Sequence, residues 1–98
     1  MAYEGLLPLT HYGEADIHLD KGSGVVYWLV VQASGDDWEL ILRDGSDTGG
    51  KIILRVSQAS ETTRVFSFNP PLPYLAGLFV DLVEDIRSFT VGYGPIGR

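Results

Sequence analysis

Near the start of the chain, four residues with metal-binding side chains alternate along one short segment: Glu14, Asp16, His18 and Asp20. Alternate residues of a β-strand share a face, so these four side chains would point the same way. Successive side chains on that face lie about 6.6 Å apart, so only neighbouring pairs could share a divalent ion. An exposed edge strand gives the same pattern, because its charges discourage pairing with other chains. We favour the edge-strand interpretation.

The other acidic and histidine residues fit no catalytic or metal-binding pattern. The segment 44–47 resembles a fragment of a calcium loop but lacks the alternating acidic ligands and final glutamate of an EF-hand, so we predict a hairpin turn. Glu84 and Asp85 are adjacent, so on a strand they would point to opposite faces and could not act as a carboxylate pair. His11 and His18 lack the spacing and third ligand of a zinc site.

The motifs of common enzyme classes are missing from the sequence as well. It contains no G-x-S-x-G nucleophile elbow and no glycine-rich phosphate loop that precedes a helix. The absence of cysteine excludes disulfides, thiolate zinc sites and cysteine nucleophiles. We therefore predict a protein that is not an enzyme and that uses no catalytic metal or cofactor.

Four aromatic residues could instead stack on the apolar faces of sugars: Tyr27, Trp28, Trp38 and Tyr74. Two of them lie in strands predicted to be central, where large aromatic side chains usually fill the core. We favour a role in the core or in a subunit interface, and a carbohydrate platform remains the alternative.

The elements that would position these residues are short strands, because period-2 alternation recurs in blocks separated by turn residues. Twelve glycines and five prolines suit many turns. Apolar spacing over 74–86 also fits a helix, but Gly77 and the β-branched Val80 and Val83 favour a strand. An eighth strand could lie in the N-terminal arm or in the loops. Seven strands are predicted, over residues 14–20, 25–33, 38–43, 51–57, 63–68, 77–83 and 88–93.

These strands predict an all-β fold, an antiparallel β-sandwich of the jelly-roll type. An irregular N-terminal arm is expected over residues 1–13 and the sandwich domain over 14–98. The shared inward phase of the alternating blocks predicts the core. Its members are Leu29, Val31, Trp38, Leu40, Leu42, Ile52, Leu54, Val80 and Val91.

Composition narrows the classes of partner. Ninety-eight residues suffice for one domain, and so short a chain gains noticeably from extra burial by self-association. A net charge of −6 repels phosphate backbones, which argues against nucleic acid as a partner. The longest apolar run, 25–31, falls far short of the ~20 residues of a membrane helix, and no signal peptide is visible. We predict no membrane partner.

The segment 25–33 is apolar on both faces, which points to an interface. One face would fill the sandwich, and the other would leave a large apolar patch in water, which is uncommon on monomers. We predict that a second subunit covers this patch in a homotrimer, with help from the N-terminal arm. The predicted interface residues are Val26, Trp28, Val30, Leu6, Leu7 and Leu9.

Several segments together carry a family resemblance: residues 22–31, 42–47, 51–54, 77–82 and 89–93. They resemble small β-sandwich structural proteins of tailed bacteriophages. That group includes capsid decoration (cement) proteins, which sit as jelly-roll trimers on the head surface, and other members serve in necks, fibres or tails.

The resemblance implies a virion structural protein that is assembled in the host cytoplasm. It implies contact with the major capsid protein or other virion proteins, as a decoration protein that stabilises the head. The alternative is a glycan- or receptor-binding β-sandwich module of a phage fibre, tail or adaptor.

Overall fold

Eight antiparallel strands form the chain, as seen in a computed structural model that describes residues 9–95. No helix occurs in that range. The strands are β1 (Leu9–Gly13), β2 (Ile17–Asp20), β3 (Gly24–Ala33), β4 (Trp38–Asp44), β5 (Lys51–Gln58), β6 (Thr63–Tyr74), β7 (Leu78–Glu84) and β8 (Ile86–Pro95).

Two four-stranded sheets pack face to face as a β-sandwich. The first sheet has the order β1-β8-β3-β6, and the second has the order β2-β7-β4-β5. Residues 14–16 join β1 to β2, and residues 59–62 join β5 to β6. Connections this short span only the ~10 Å between packed sheets, so β1 faces β2 and β5 faces β6. The all-β sandwich predicted from the sequence is confirmed.

The eighth strand lies in the segment predicted to be an irregular arm. Residues 9–13 form β1, which pairs with β8 from Leu9 opposite Tyr93 to Gly13 opposite Phe89. The His11 ring lies 5.8 Å from the Phe89 ring, which fixes this edge strand against the sandwich. Five residues with a single strongly apolar side chain give too weak an alternation to read as a strand. The rest of the predicted arm lies outside the described residues.

Strand β6 continues past the prolines that were expected to end it. Its first part pairs with β3 up to Ser67 opposite Trp28, and its last part pairs from Leu72 opposite Val26. Residues 68–71 therefore lie opposite Tyr27 alone, as a bulge that contains two prolines. Because β6 is an edge strand, a missing N–H on its outer side breaks no ladder hydrogen bond.

Seven of the nine predicted core residues are buried, and Leu54 packs partly buried against them. Ile52 is 45% exposed, so its assignment to the core was wrong. A bulge shifts the register of β4 and β5 after Leu42 opposite Leu54, and this places Ile52 opposite Arg43 on the outer face. Such a one-residue shift sends a side chain to the other face of a sheet.

A second bulge changes the faces of β3. The register shifts between Val26 and Trp28, so Tyr27 is the extra residue. Val26 consequently faces inward with Leu29 and is 0% exposed. Its predicted position on the outer face was wrong for this reason. The segment predicted as either strand or helix is strand β7, as favoured.

Candidate functional site

The prediction that Glu14, Asp16, His18 and Asp20 share one strand face was wrong, because 14–16 form a connection and only His18 and Asp20 lie on β2. The two aspartates serve the structure of the sandwich. The Asp16 carboxylate Oδ1 accepts a hydrogen bond from the Leu82 N–H at 2.7 Å, and Asp20 Oδ2 accepts one from the Tyr74 hydroxyl at 2.5 Å. The first bond links the connection before β2 to β7, and the second links β2 to β6. Within residues 9–95, no three histidine, cysteine or acidic side chains are placed to hold a metal ion.

The segment 44–47 ends β4 and begins the hairpin connection to β5, as predicted, and it has a structural role. The Asp44 carboxylate accepts hydrogen bonds from the N–H groups of Leu75 at 2.9 Å and Ala76 at 2.7 Å. It thereby ties the end of β4 to the connection between β6 and β7. The Asp47 side chain accepts from the Gly49 N–H at 2.8 Å and closes the turn locally.

The remaining candidates for chemistry are also separate from one another. Asp85 alone connects β7 to β8 with φ of 50°, and its carbonyl accepts from the Ser34 N–H at 2.8 Å. His18 Nε2 is buried without a hydrogen-bond partner in the described part of the chain, close to Gly77. His11, as noted, packs on a phenylalanine ring of β8. The structure brings none of these side chains together as a site.

The aromatic residues separate into buried and outward-facing groups. Trp38 and Tyr74 are each 1% exposed, and Trp38 Nε1 donates to the Ser60 carbonyl at 3.0 Å. Neither can serve as a platform for a sugar. Trp28 lies half-buried on the outer face of the first sheet, and Tyr27 is half-buried at the bulge.

Among the described residues, the paired positions on the outer face of the first sheet carry no charged side chain. Arg87 is exposed at the bulge of β8 next to Ser88 and has no register partner. Trp28 lies beside Gly92 and Ser67, and Val30 lies beside Thr90 and Val65. Side chains at paired positions share a face, which fixes the membership of this surface. We call it the uncharged face, and its members are Thr10, Tyr12, Trp28, Val30, Gln32, Thr63, Val65, Ser67, Ser88, Thr90 and Gly92.

Trp28 lies across Gly92 at the centre of this face. A Cβ atom at Gly92 would lie 2.4 Å from both Cε2 and Nε1 of the indole, so only glycine lets the ring lie flat there. Val65 is 66% exposed and Tyr12 is 60% exposed. The face thus combines apolar and aromatic surface with hydroxyl and amide groups.

The outer face of the second sheet is built differently. Its centre is Ile41, which is only 2% exposed although it points away from the core. Glu39 and Arg43 flank it along β4, and Arg55 and Asp81 lie opposite it on the neighbouring strands. We call this surface the charged face, and its members are Glu39, Ile41, Arg43, Ile52, Arg55, Phe79 and Asp81.

Ion pairs close the charged face over its apolar centre. Arg43 Nε lies 3.0 Å from Asp81 Oδ2, and Arg43 Nη1 donates to the Gly50 carbonyl at 3.0 Å. Arg55 and Glu39 form a second ion pair. Each of these cations is therefore satisfied within the chain, and the surface offers little to a partner.

The predicted interface residues divide between the core, the surface and the undescribed terminus. Trp28 and Val30 lie on the uncharged face, and Leu9 is 51% exposed at the start of β1. Val26 is in the core, as described above. Leu6 and Leu7 lie outside the described residues.

Sequence reasoning missed the neighbours of Trp28 and Val30 on this face. Val65 joins it because β6 pairs with β3 in the register Val30 opposite Val65, and Tyr12 joins it because β1 pairs with β8. Both pairings join segments far apart in the chain. The alternation within each strand shows two faces but not which strands lie side by side.

One ionisable group in the sandwich is shifted. Burial raises the pKa of Tyr93 above its ordinary value of 10.0, and the negative charge of Asp20 raises it further. Tyr93 packs against the core from β8 and pairs with Val26 of β3. Its hydroxyl therefore stays protonated well into alkaline solution, as a structural group.

Comparison with protein-family models finds no match for this chain, and comparison with curated proteins finds none either. The described part of the chain has no helix of the length and hydropathy that a membrane span requires.

Proposed function

We propose that this chain is a non-enzymatic structural protein that acts by assembling with other proteins. The uncharged face carries this proposal, because it is a broad surface without charge on a chain whose net charge is −6. The centres of protein–protein interfaces are depleted of charged residues and enriched in aromatic ones. Trp28 occupies such a central position.

Desolvation favours this face over the charged face as a contact surface. Covering the charged face would remove Arg55, whose side chain is 60% exposed, and its partner Glu39 from water, and the loss of hydration opposes such burial. Covering the uncharged face removes only apolar groups, hydroxyls and an amide, which can bond across an interface or through water. Its mixture of exposed apolar side chains and hydroxyl groups suits a partly polar contact between folded proteins.

In its specific form, the proposal is a capsid decoration (cement) protein of a bacteriophage virion. The chain would form homotrimers on the head. The uncharged face, whose residues Trp28 and Val30 were predicted from the sequence to lie in the trimer contact, would instead bind the major capsid protein, without nucleic acid or membrane partners. Eight strands in two sheets, ordered β1-β8-β3-β6 and β2-β7-β4-β5, support the jelly-roll interpretation that goes with this function. The resemblance of several segments to phage structural proteins supports the virion assignment.

Co-sedimentation with empty heads tests this proposal. The test first requires a major capsid protein gene in the neighbourhood of this chain's gene, and the heads would be assembled from its product. The native protein is expected to saturate the heads, and Trp28→Glu is expected to bind at least tenfold more weakly while remaining folded by circular dichroism. Native protein that never binds the heads, or heads that gain no thermal stability from it, would refute a decoration role.

Glycan binding is the second candidate, and the position of Trp28 favours it. An indole lying flat on a glycine, with Tyr12 exposed nearby and the hydroxyls of Thr10 and Thr90 on the same face, could stack on a sugar ring and bond its hydroxyls. A glycan array and tryptophan fluorescence distinguish the candidates. A saturable emission change with one glycan, abolished in Trp28→Ala, would establish this function in place of the first.

A further inference from the structure

The two lateral sides of the sandwich carry opposite charges. Strands β5 and β6 form one side, and between them they carry Lys51, Arg55 and Arg64 but no acidic residue. The other side is formed by β1, β2 and their connection, which carries Glu14 and Asp16. The connection between β5 and β6 carries Glu61, so on this side of a chain of net charge −6 three cations outnumber one acidic residue.

The charges on the two sides lie at the same height along the strands. Arg64 pairs with Val31, Val31 pairs with Phe89, and Phe89 pairs with Gly13. This row crosses the first sheet from β6 to β1 and ends one residue before Glu14. The guanidinium on one edge and the carboxylate on the other therefore occupy nearly the same level.

A second row of paired residues crosses the first sheet near the opposite end of the strands, and it has an apolar residue at each edge of the sheet. Leu72 pairs with Val26, Val26 pairs with Tyr93, and Tyr93 pairs with Leu9. Leu9 is 51% exposed on the β1 edge. On the β6 edge, Leu72 lies in an apolar groove of about 400 Å³ between β5 and β6. The remaining groove residues are Asp44, Lys51, Ile52, Ile53, Pro73 and Leu75.

We propose that the occupant of this groove is a second copy of the same chain, docked edge to edge. The β5–β6 side of one copy contacts the β1–β2 side of the next, so that Arg64 meets Glu14 at one end and the groove receives Leu9 at the other. This inference rests on the proposed function and names the contact that forms its oligomer.

The charged side chains are available for such a contact. Arg64 makes a hydrogen bond to Gln58, and its guanidinium lies 5.4 Å from the centre of the Phe66 ring. The ion pairs found within residues 9–95 involve neither Arg64 nor Glu14. Glu14 accepts one bond from the exposed Tyr12 hydroxyl at 3.2 Å. A partner could satisfy both charges without breaking an internal ion pair.

The geometry favours a closed ring. Rotation about an axis parallel to the strands keeps every residue at its own height, which brings each row of one copy to the same row of the next. In the first sheet β1 and β6 run in opposite directions, so the adjoining edges are antiparallel. A contact between two different surfaces of identical chains closes into a ring when the rotation permits, and a trimer is such a ring.

Charge reversal tests the contact by multi-angle light scattering at micromolar concentration. The native protein is expected at about three times the chain mass of 10.7 kDa. Arg64→Glu and Glu14→Lys each place like charges opposite one another, so each is expected to raise the apparent dissociation constant by roughly tenfold or more. The double variant, with Arg64→Glu and Glu14→Lys in the same chain, pairs opposite charges at all three contacts and is expected to restore the native mass.

Controls match the changes in net charge away from the contact. Arg87→Glu and Glu84→Lys alter exposed residues of strands that are not at a sheet edge, by the same amounts of charge, and are expected to keep the native mass. Leu9→Asp tests the apolar end and is expected to weaken association, whereas Val83→Asp is expected to leave it unchanged. Circular dichroism establishes that each variant is folded.

Three results would overturn the inference: a native monomer, reversals no more disruptive than their controls, or a double variant that fails to reassemble. The head-binding assay judges the proposed function separately, because it reads the uncharged face. A trimer lost in Arg64→Glu but unable to bind heads would support the edge contact and refute the decoration role. Head binding together with an unchanged trimer in Arg64→Glu would support the decoration role and refute the edge contact.

Discussion

The two outer faces of the sandwich differ in how the large apolar side chain at the centre of each is covered. Each covers a sheet whose inner face is the core, and each has a large side chain at its centre. Around Ile41, ion pairs formed within the chain cover the apolar group and leave it 2% exposed. No charged side chain lies at the positions paired with Trp28. Val65, which pairs with Val30 on the same face, is 66% exposed. The charged face is therefore closed by contacts within the single chain, whereas the uncharged face exposes apolar surface that a partner would bury.

Removing one partner of the Arg43–Asp81 ion pair on the charged face is expected to have the largest effect on stability. Asp81→Ala leaves the Arg43 guanidinium, whose side chain is 16% exposed, without its partner. Removing one partner of a largely buried ion pair costs about 3 kcal/mol of unfolding free energy. Urea denaturation measures it. The double variant Arg43→Met, Asp81→Leu is the control and is expected to recover most of the loss, because no charge is left unpaired.

A glycine substitution tests the uncharged face at its centre. Gly92→Ala places a methyl group where the Trp28 indole lies and is expected to lower stability by about 1–3 kcal/mol, because the ring must move. It should also make Trp28 more accessible to soluble quenchers. Gly49→Ala, in an exposed turn where the nearest heavy atom to the new Cβ is the Asp47 carboxylate at 3.1 Å, is the milder comparison. Unchanged quenching in Gly92→Ala would contradict the observed stacking.

Two matched valine substitutions, one in each sheet, test which sheet binds the partner. Val65→Glu adds a carboxylate to the uncharged face, and Val83→Glu adds one to the exposed end of β7 in the second sheet. Both should change stability by about 0.5 kcal/mol or less. Only Val65→Glu should weaken head binding, by roughly tenfold, which corresponds to about 1.4 kcal/mol. Equal binding by the two variants would show that the faces do not differ in function.

The smallest expected effect concerns alkaline pH. The pKa of Tyr93 is raised in the folded protein, so above its ordinary value of 10.0 the folded state holds the proton more strongly than the unfolded chain. Its contribution to stability is complete below pH 10 and is lost as the pH rises further. Tyr93→Phe is expected to make the decline in stability between about pH 9 and pH 11 shallower. An unchanged slope in urea denaturation would contradict the shift.

The fold was predictable because alternation within a strand is a local signal. Leu40 and Leu42 on β4 alternate with outward residues, and the structure buries both. The bulges were not predictable, since an extra residue such as Tyr27 leaves no mark in the pattern and reverses the faces on one side of it. Val26 and Ile52 were misplaced for this reason.

The candidate site was predictable only in part. Trp28 and Val30 were assigned to an outer face from the apolar character of both sides of β3, and the structure places them there. The absence of charge around them depends on Thr90, Tyr12 and Val65, which long-range pairing brings alongside. Those pairings depend on sheet order, which no local sequence pattern encodes.

Acrylamide quenching of tryptophan emission tests the central claim most directly. Trp38 is 1% exposed, so quenching of the free protein reports mainly on Trp28. In the bound sample, heads bound by a Trp28→Phe variant supply the background that is subtracted. We expect Trp28 to be quenched in the free protein and protected when the protein is bound to empty heads, because the uncharged face is then covered. Added sugars should leave the quenching of the free protein unchanged. Equal quenching of free and head-bound protein would contradict the assignment of this face as the contact surface.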